Sequence, residues 1–73
     1  MRKMSLDVVV PLYNDQEVIE DLCKTVFNVL EGQFKSVRLI LIDDGSYDDT
    51  YQTAKKMRGE FKKTEVIRLA GNY

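Results

Sequence analysis

Short apolar runs alternate along the chain with longer segments in which apolar residues recur every three or four positions. The runs cover residues 6–12, 37–42 and 65–69, and they predict β-strands because β-branched and aliphatic side chains fit a pleated sheet. The intervening segments, residues 15–31 and 49–62, predict amphipathic helices. In the first segment the apolar stripe consists of Ile19, Leu22, Cys23, Val26, Phe27 and Leu30. The predicted order is therefore β-α-β-α-β.

This alternation predicts a Rossmann-like α/β fold. Strands joined by helical crossovers are parallel, and such connections are right-handed in about 98% of cases. Two crossovers wound the same way give three parallel strands in the order 3-2-1. The first two strands are almost continuously apolar, as in sheets that are covered on both faces. The third strand alternates in polarity through Arg68, and we expect it to be less deeply buried.

The order 3-2-1 leaves the most apolar strand at an open edge of the sheet. An uncovered edge that carries Val8, Val9 and Val10 in succession is a template for pairing with another strand. We expect this edge to pair either with further strands of a longer protein or with a second copy, which would make a homo-oligomer. The sequence ends at Tyr73, just past the third strand, so we interpret residues 1–73 as the N-terminal part of a larger domain.

The composition excludes several classes of protein. The 73 residues are 44% hydrophobic and 32% charged, as in a globular chain, and a net charge of −1 gives no reason to expect nucleic acid as a partner. With Cys23 as the single cysteine and no histidine, we exclude a disulfide scaffold, a Cys/His zinc site and a histidine-based triad. We expect Cys23 to be a buried small hydrophobe. The sequence shows neither a signal peptide nor an apolar run of about 20 residues, and we expect a cytoplasmic location.

The run LILIDDGSYDDT, residues 39–50, carries the most informative polar cluster. Asp43 and Asp44 follow directly on the second strand, at the edge of a parallel sheet where ligands bind. Gly45 allows the backbone to turn sharply after them. Ser46 and Asp48 are candidates to accept hydrogen bonds from the first amides of the next helix. The pattern predicts a polar site on the loop between the second strand and the second helix.

The loop after the first strand, PLYNDQE, contains no glycine and no lysine. It therefore lacks both the glycine-rich pyrophosphate cradle and the P-loop. Tyr13 offers an aromatic face on which a base can stack, while Glu17 and Asp44 offer acceptors for N–H and O–H groups of a base or ribose. A nucleoside pocket formed by the two loops is the chemistry that these residues favour.

Together these motifs resemble a known family. The segments VVVPLYNDQEVI, LILIDDGSYDDT and VIRLAGNY are similar to the start of family 2 glycosyltransferases with the GT-A fold, especially those that make polyprenyl-phosphate sugars, such as dolichol-phosphate mannose synthases. The resemblance covers nearly the whole chain and implies the nucleotide-binding part of a GT-A domain. The residues expected to contact the nucleotide are Pro11, Tyr13, Glu17 and Asp44, and the supporting loop residues are Asn14, Asp43, Gly45 and Ser46.

The resemblance also implies a reaction. Members of the family move a sugar, normally with inversion, from a nucleoside diphosphate to an acceptor such as a polyprenyl phosphate, in the synthesis of cell wall or polysaccharide. Their divalent cation, Mg²⁺ or Mn²⁺, is held by a D-x-D motif that would follow residue 73, so we expect no metal ligand here and no activity of this chain alone. The full-length form is expected at the cytoplasmic face of a membrane. Gly71 stands where the family commonly has a basic residue, before Asn72 and Tyr73.

Several of the candidate residues also have a purely structural interpretation. Asn14 and Glu17 are spaced as the two members of a capping box for the first helix. Asp48 is expected to cap the second helix, and Asp43 is expected to accept backbone amides rather than to contact a ligand. Tyr13 can also be interpreted as a half-buried aromatic residue of the loop that does not contact a base.

Two other classes of function compete with nucleotide binding. A phospho-receiver domain needs its acidic pair after the first strand, whereas Asp43 and Asp44 follow the second, and this disfavours it. A non-catalytic assembly module that dimerises through the open first strand is the alternative that stays open.

Overall fold

A computed structural model of the chain describes residues 4–69. Its elements are β1 (Ser5–Leu12), α1 (Ile19–Leu30), β2 (Ser36–Asp43), α2 (Thr50–Glu60) and β3 (Thr64–Arg68). The strands form one parallel sheet in the order β1-β2-β3. This is the predicted Rossmann-like arrangement, since 3-2-1 is the same order read from the other edge.

The register of the sheet places the functional loops side by side. Leu12 at the end of β1 pairs with Asp43 at the end of β2, and Asp43 pairs in turn with Arg68 at the end of β3. Because parallel strands all end at the same edge, the segments that follow β1 and β2 leave the sheet as neighbours.

The core lies between one face of the sheet and the two helices. On β2 the side chains of Val37, Leu39 and Leu41 are buried, whereas Arg38 between them is exposed. The buried core consists of Leu12, Ile19, Cys23, Phe27, Val37, Leu39, Leu41, Ala54 and Met57. Fully burying a leucine-sized side chain contributes about 1.5–3 kcal/mol, so this cluster carries most of the favourable folding free energy.

Two further contacts in the core bear on the sequence predictions. The rings of Phe27 and Phe61 stack with centroids 5.3 Å apart and join the ends of the two helices. Cys23 is fully buried as predicted, and this burial, with the nearby charge of Glu60, raises the pKa of its thiol to about 11. The thiol is therefore an apolar packing group at neutral pH.

The opposite face of the sheet is only partly covered by the residues that the structure describes. Val9 on β1 is 54% exposed and Ile67 on β3 is 47% exposed. Within residues 4–69, β3 is more exposed than β2, as predicted, but β1 is as exposed as β3, and the expectation that β1 is covered on both faces is not met. β1 pairs with β2 alone among these residues, and homo-oligomer formation through its free edge stays a prediction.

The helices begin later than the sequence pattern predicted. α1 begins at Ile19 rather than at residue 15, because residues 15–18 form a turn closed by the Val18 amide, which donates to the Asp15 carbonyl at 3.0 Å. α2 runs over Thr50–Glu60 instead of 49–62, because Phe61 has an extended backbone. Within residues 4–69, no helix reaches the length and apolarity that crossing a membrane requires. The predicted final turn at 71–73 lies outside the described residues.

Candidate functional site

The first loop (residues 13–18) and the second loop (residues 44–49) leave the carboxyl edge of the sheet together. The amide of Asp44 donates a hydrogen bond of 2.9 Å to the carbonyl of Leu12. This bond extends the pairing of β1 with β2 by one residue beyond Asp43. Tyr13 and Asp44, the two residues predicted to contact the nucleotide most directly, therefore open neighbouring loops.

Asn14 links the first loop to the second. Its amide donates to Oγ of Ser46 at 2.9 Å, and its Oδ1 accepts from the amide of Tyr47 at 2.9 Å. Asn14 has a φ of 52°, a left-handed conformation that asparagine tolerates better than most residues. The predicted capping box of Asn14 and Glu17 is wrong, because α1 begins after Val18 and has no side-chain cap. The side chain of Asn14 serves the second loop instead of the helix.

A second pair of bonds joins the first loop to the start of α2. The amide of Asp15 donates to Oγ1 of the fully buried Thr50 at 2.8 Å, and Oε1 of Gln16 accepts from the amide of Asp49 at 2.7 Å. The first loop is thus joined to the second loop and the start of α2 by four hydrogen bonds that involve side chains. Sequence reasoning missed Asp15, Gln16 and Thr50, since their partners lie far away in the chain and leave no local pattern.

Asp43 shapes the second loop from inside the protein. Its side chain is fully buried and Oδ1 accepts from the amide of Ser46 at 3.2 Å, which confirms its predicted role as an acceptor of backbone amides. Gly45 between them has a φ of 75°, so the sharp turn predicted there is confirmed. Oδ2 of Asp43 has no hydrogen-bond partner among the described residues, and the Nε of Arg68 lies 3.4 Å from it.

Asp48 accepts hydrogen bonds at the start of α2. Its Oδ1 accepts from the amide of Thr50 at 2.9 Å and from the Thr50 hydroxyl. The Thr50 hydroxyl is the main cause that lowers the pKa of Asp48. The N-cap of α2 is Asp49, not Asp48 as predicted. Asp48 precedes the N-cap and accepts from the amide of Thr50, the first residue of the helix. Ser46 does not cap α2, since its hydroxyl accepts from Asn14 instead.

An aromatic pair stands on the surface where the two loops meet. The rings of Tyr13 and Tyr47 lie edge to face, with centroids 6.2 Å apart and planes inclined by 74°. Tyr13 is 51% exposed and Tyr47 is 88% exposed. Hydrogen bonding to Tyr47 is the main cause that raises the pKa of Tyr13, and the negative charge of Asp44 raises it further. Tyr13 and Asp44 therefore interact electrostatically, and Tyr47 is a neighbour that sequence reasoning did not single out.

The predicted contact residues divide between two adjoining surfaces. A groove of about 480 Å³ is lined by Asn14, Asp15, Gln16, Glu17, Val18 and Asp48. Glu17 lies in this groove, whereas Tyr13, which contacts Tyr47, and the exposed Asp44 do not line it. Pro11 is exposed on β1 and pairs in register with Ile42. Asn14 belongs to both surfaces, because it lines the groove and holds the backbone of Tyr47.

Within residues 4–69, no three side chains of histidine, cysteine, aspartate or glutamate come together as a set of metal ligands. The carboxylates of Asp43 and Asp48 are instead engaged by backbone amides. We therefore place no metal-dependent step on these residues.

Comparison with known proteins identifies the family of this chain. The family model described as "Glycosyl transferase family 2" matches residues 7–73. A dolichol-phosphate mannosyltransferase of Pyrococcus furiosus is 31% identical over 65 residues, which are 89% of this chain and 18% of the relative. The chain thus spans less than a fifth of the length of that relative. The chain belongs to glycosyltransferase family 2.

Proposed function

We propose that the carboxyl edge of this sheet binds the nucleotide of a nucleoside-diphosphate sugar. The observation that carries the proposal is the joining of the first and second loops by side-chain hydrogen bonds of Asn14, Ser46 and Gln16. A loop pair that is fixed before the ligand arrives loses little conformational entropy on binding. Membership of glycosyltransferase family 2 supports the choice of ligand.

Each predicted residue has a role in this proposal. The half-exposed ring of Tyr13 stacks on the base, and the exposed carboxylate of Asp44 accepts hydrogen bonds from N–H groups of the base or hydroxyls of the ribose. Glu17 contributes a further acceptor from the neighbouring groove. Pro11 lines the approach from β1. Asn14, Asp43, Gly45 and Ser46 hold the two loops in place and do not need to touch the ligand.

At the level of the whole protein, we propose transfer of a sugar from the nucleoside diphosphate to an acceptor, with a polyprenyl phosphate as the acceptor class. The match to a dolichol-phosphate mannosyltransferase supports this choice. A divalent cation would neutralise the diphosphate during transfer. Among residues 4–69 no three metal-ligating side chains come together, and we propose none of these residues as a ligand of that cation.

Calorimetric titration of the 73-residue chain with UDP and with GDP tests the nucleotide proposal. We expect weak, saturable binding of at least one of them, and Asp44→Asn should weaken it by about tenfold, as expected for loss of a charge-assisted hydrogen bond. Asp21→Asn, which removes the same charge from an exposed position on α1, should leave affinity unchanged. Equal affinity of wild type and Asp44→Asn would contradict the role of Asp44.

An assay of sugar transfer by the 73-residue chain tests this proposal about the cation. We expect no transfer to a polyprenyl phosphate from UDP- or GDP-sugars in the presence of Mg²⁺ or Mn²⁺. Transfer that depends on the cation would show that these residues complete the catalytic site, contrary to the proposal.

A further inference from the structure

Tyr47 has the highest exposed fraction, 88%, of the large hydrophobic side chains that the structure describes as exposed. Its ring is open to water on a loop whose backbone is held by hydrogen bonds. The ring of Tyr47 contacts the ring of Tyr13, and this contact suggests a role for Tyr47.

The backbone at Tyr47 is held by Asn14 of the first loop. Its amide donates to Oδ1 of Asn14 at 2.9 Å, and the preceding Ser46 is buried and bonded to the amide of the same Asn14. Gly45 and Asn14 both adopt left-handed conformations, with φ of 75° and 52°. The Cα of Tyr47 is therefore held relative to the first loop, and the ring moves only about its own side-chain bonds.

The two tyrosine rings form a corner. Their planes meet at 74° and their centroids lie 6.2 Å apart, an edge-to-face geometry that aromatic pairs prefer. A planar base stacked on the exposed face of one ring would meet the other ring with its edge. Such a corner limits both the tilt and the sideways movement of a bound base.

We propose that Tyr47 is a positioning residue that fixes the ring of Tyr13 and, with it, forms the aromatic corner that receives the base of a nucleotide. This inference rests on the nucleotide-binding function proposed above and adds a residue to it. Asp44 then supplies the polar contact beside the corner. The edge-to-face contact of the two rings goes with a raised pKa of Tyr13, whose main cause is hydrogen bonding to Tyr47.

The variants Tyr47→Phe and Tyr47→Ala separate the hydroxyl of Tyr47 from its ring. Tyr51→Phe is the matched control, because Tyr51 lies on α2 beneath the cations of Lys55 and Arg68 and makes no ring contact with Tyr13. The first readout is titration of the Tyr13 phenol by NMR without ligand. We expect Tyr47→Phe to lower the pKa of Tyr13 and Tyr51→Phe to leave it unchanged.

The second readout is affinity for UDP, for GDP and for ribose 5-phosphate, which lacks a base. We expect Tyr47→Ala to weaken binding of the nucleotide that wild type prefers by at least about fivefold, because stacking contacts with a base are lost. Affinity for ribose 5-phosphate should be the same in wild type and variant. Thermal unfolding of each variant controls for loss of fold.

The outcomes distinguish this inference from the proposal beneath it. A Tyr13 titration curve that neither Tyr47 variant moves would overturn the positioning role. A moved curve with unchanged nucleotide affinity would overturn the contact with the base while nucleotide binding stands. If wild type binds neither UDP nor GDP, the proposed function is wrong. The role of Tyr47 in binding a base is then wrong as well, even if the Tyr13 titration shows that the two phenols interact.

Discussion

Arg68 connects the end of β3 to Asp43, the buried carboxylate at the end of β2. The Nε of Arg68 lies 3.4 Å from Oδ2 of Asp43, and its guanidinium lies 4.6 Å from the centre of the Tyr51 ring on α2. Asp43 is fully buried, whereas the side chain of Arg68 is 47% exposed. A partly solvated cation thus compensates a charge inside the protein, and the same carboxylate holds the amide of Ser46.

Replacing Arg68 by glutamine should destabilise the chain by about 1–2 kcal/mol. Removing one partner of a fully buried ion pair costs about 3–5 kcal/mol, and we reduce this figure because half of Arg68 is solvated and screened. Arg58→Gln, which removes the same charge from an exposed position on α2, should change the free energy of unfolding by less than about 0.5 kcal/mol. Urea denaturation measures both variants, and equal effects would contradict a specific role of Arg68.

Alanine at Gly45 and alanine at Gly59 should have opposite effects on stability. Gly45 has a φ of 75°, so a side chain there costs about 1–2 kcal/mol. Gly59 lies within α2, and a Cβ added to it meets no atom within 4 Å, so alanine should stabilise the helix by about 0.5–1 kcal/mol. Thermal unfolding compares the two variants. A loss of stability at Gly59 or a gain at Gly45 would contradict the backbone conformations described above.

Asp7 should contribute a pH-dependent part of the stability. Nε and Nη2 of Arg38 donate to the carboxylate of Asp7 at 3.2 and 2.7 Å. This hydrogen bonding lowers the pKa of Asp7 below its ordinary value of 3.8. A lowered folded-state pKa gives a stabilisation that is present above the unfolded pKa and is lost as the pH falls through the folded one. We expect this loss below about pH 4.

The variants Asp7→Asn and Arg38→Gln measure that contribution. Each should flatten the fall of the unfolding midpoint between about pH 4 and pH 2. The double variant should flatten it no further than Arg38→Gln, which also removes the contact of Arg38 with Glu65 at 3.6 Å. The effect should be small and should shrink in high salt, because both side chains are about half exposed. An unchanged slope in Asp7→Asn would show that the pair does not persist in solution.

The sequence predicted the elements and their order because burial imposes a periodic pattern. The apolar runs of residues 6–12 and 37–42 predicted β1 and β2, although only one face of the sheet is covered among residues 4–69. The role of Asp43 and the turn at Gly45 were also predictable, since both follow from position at a strand end and from backbone sterics. The family could be identified from the same motifs, and the match over residues 7–73 confirms it.

The start of α1 could not be predicted from local pattern. Asn14 and Glu17 have the spacing of a capping box, but the polar groups of Asn14 are taken by Ser46 and Tyr47 of the other loop. Tertiary hydrogen bonds thus overrode a local signal. The pairing of Tyr47 with Tyr13 and that of Arg68 with Asp43 likewise depend on which strands are adjacent. The second pairing becomes visible once the parallel register is drawn, because Asp43 and Arg68 are then partners.

An NMR titration of the 73-residue chain with UDP and with GDP tests the central claim most directly. The account predicts that the ring protons of Tyr13 and the amide of Asp44 shift together and saturate at one dissociation constant. The opposite result is a titration in which neither signal shifts. Either the shifts are confined to the groove at Gln16 and Glu17, or no signal shows a saturable shift at millimolar ligand. That result would show that the aromatic edge does not bind the nucleotide.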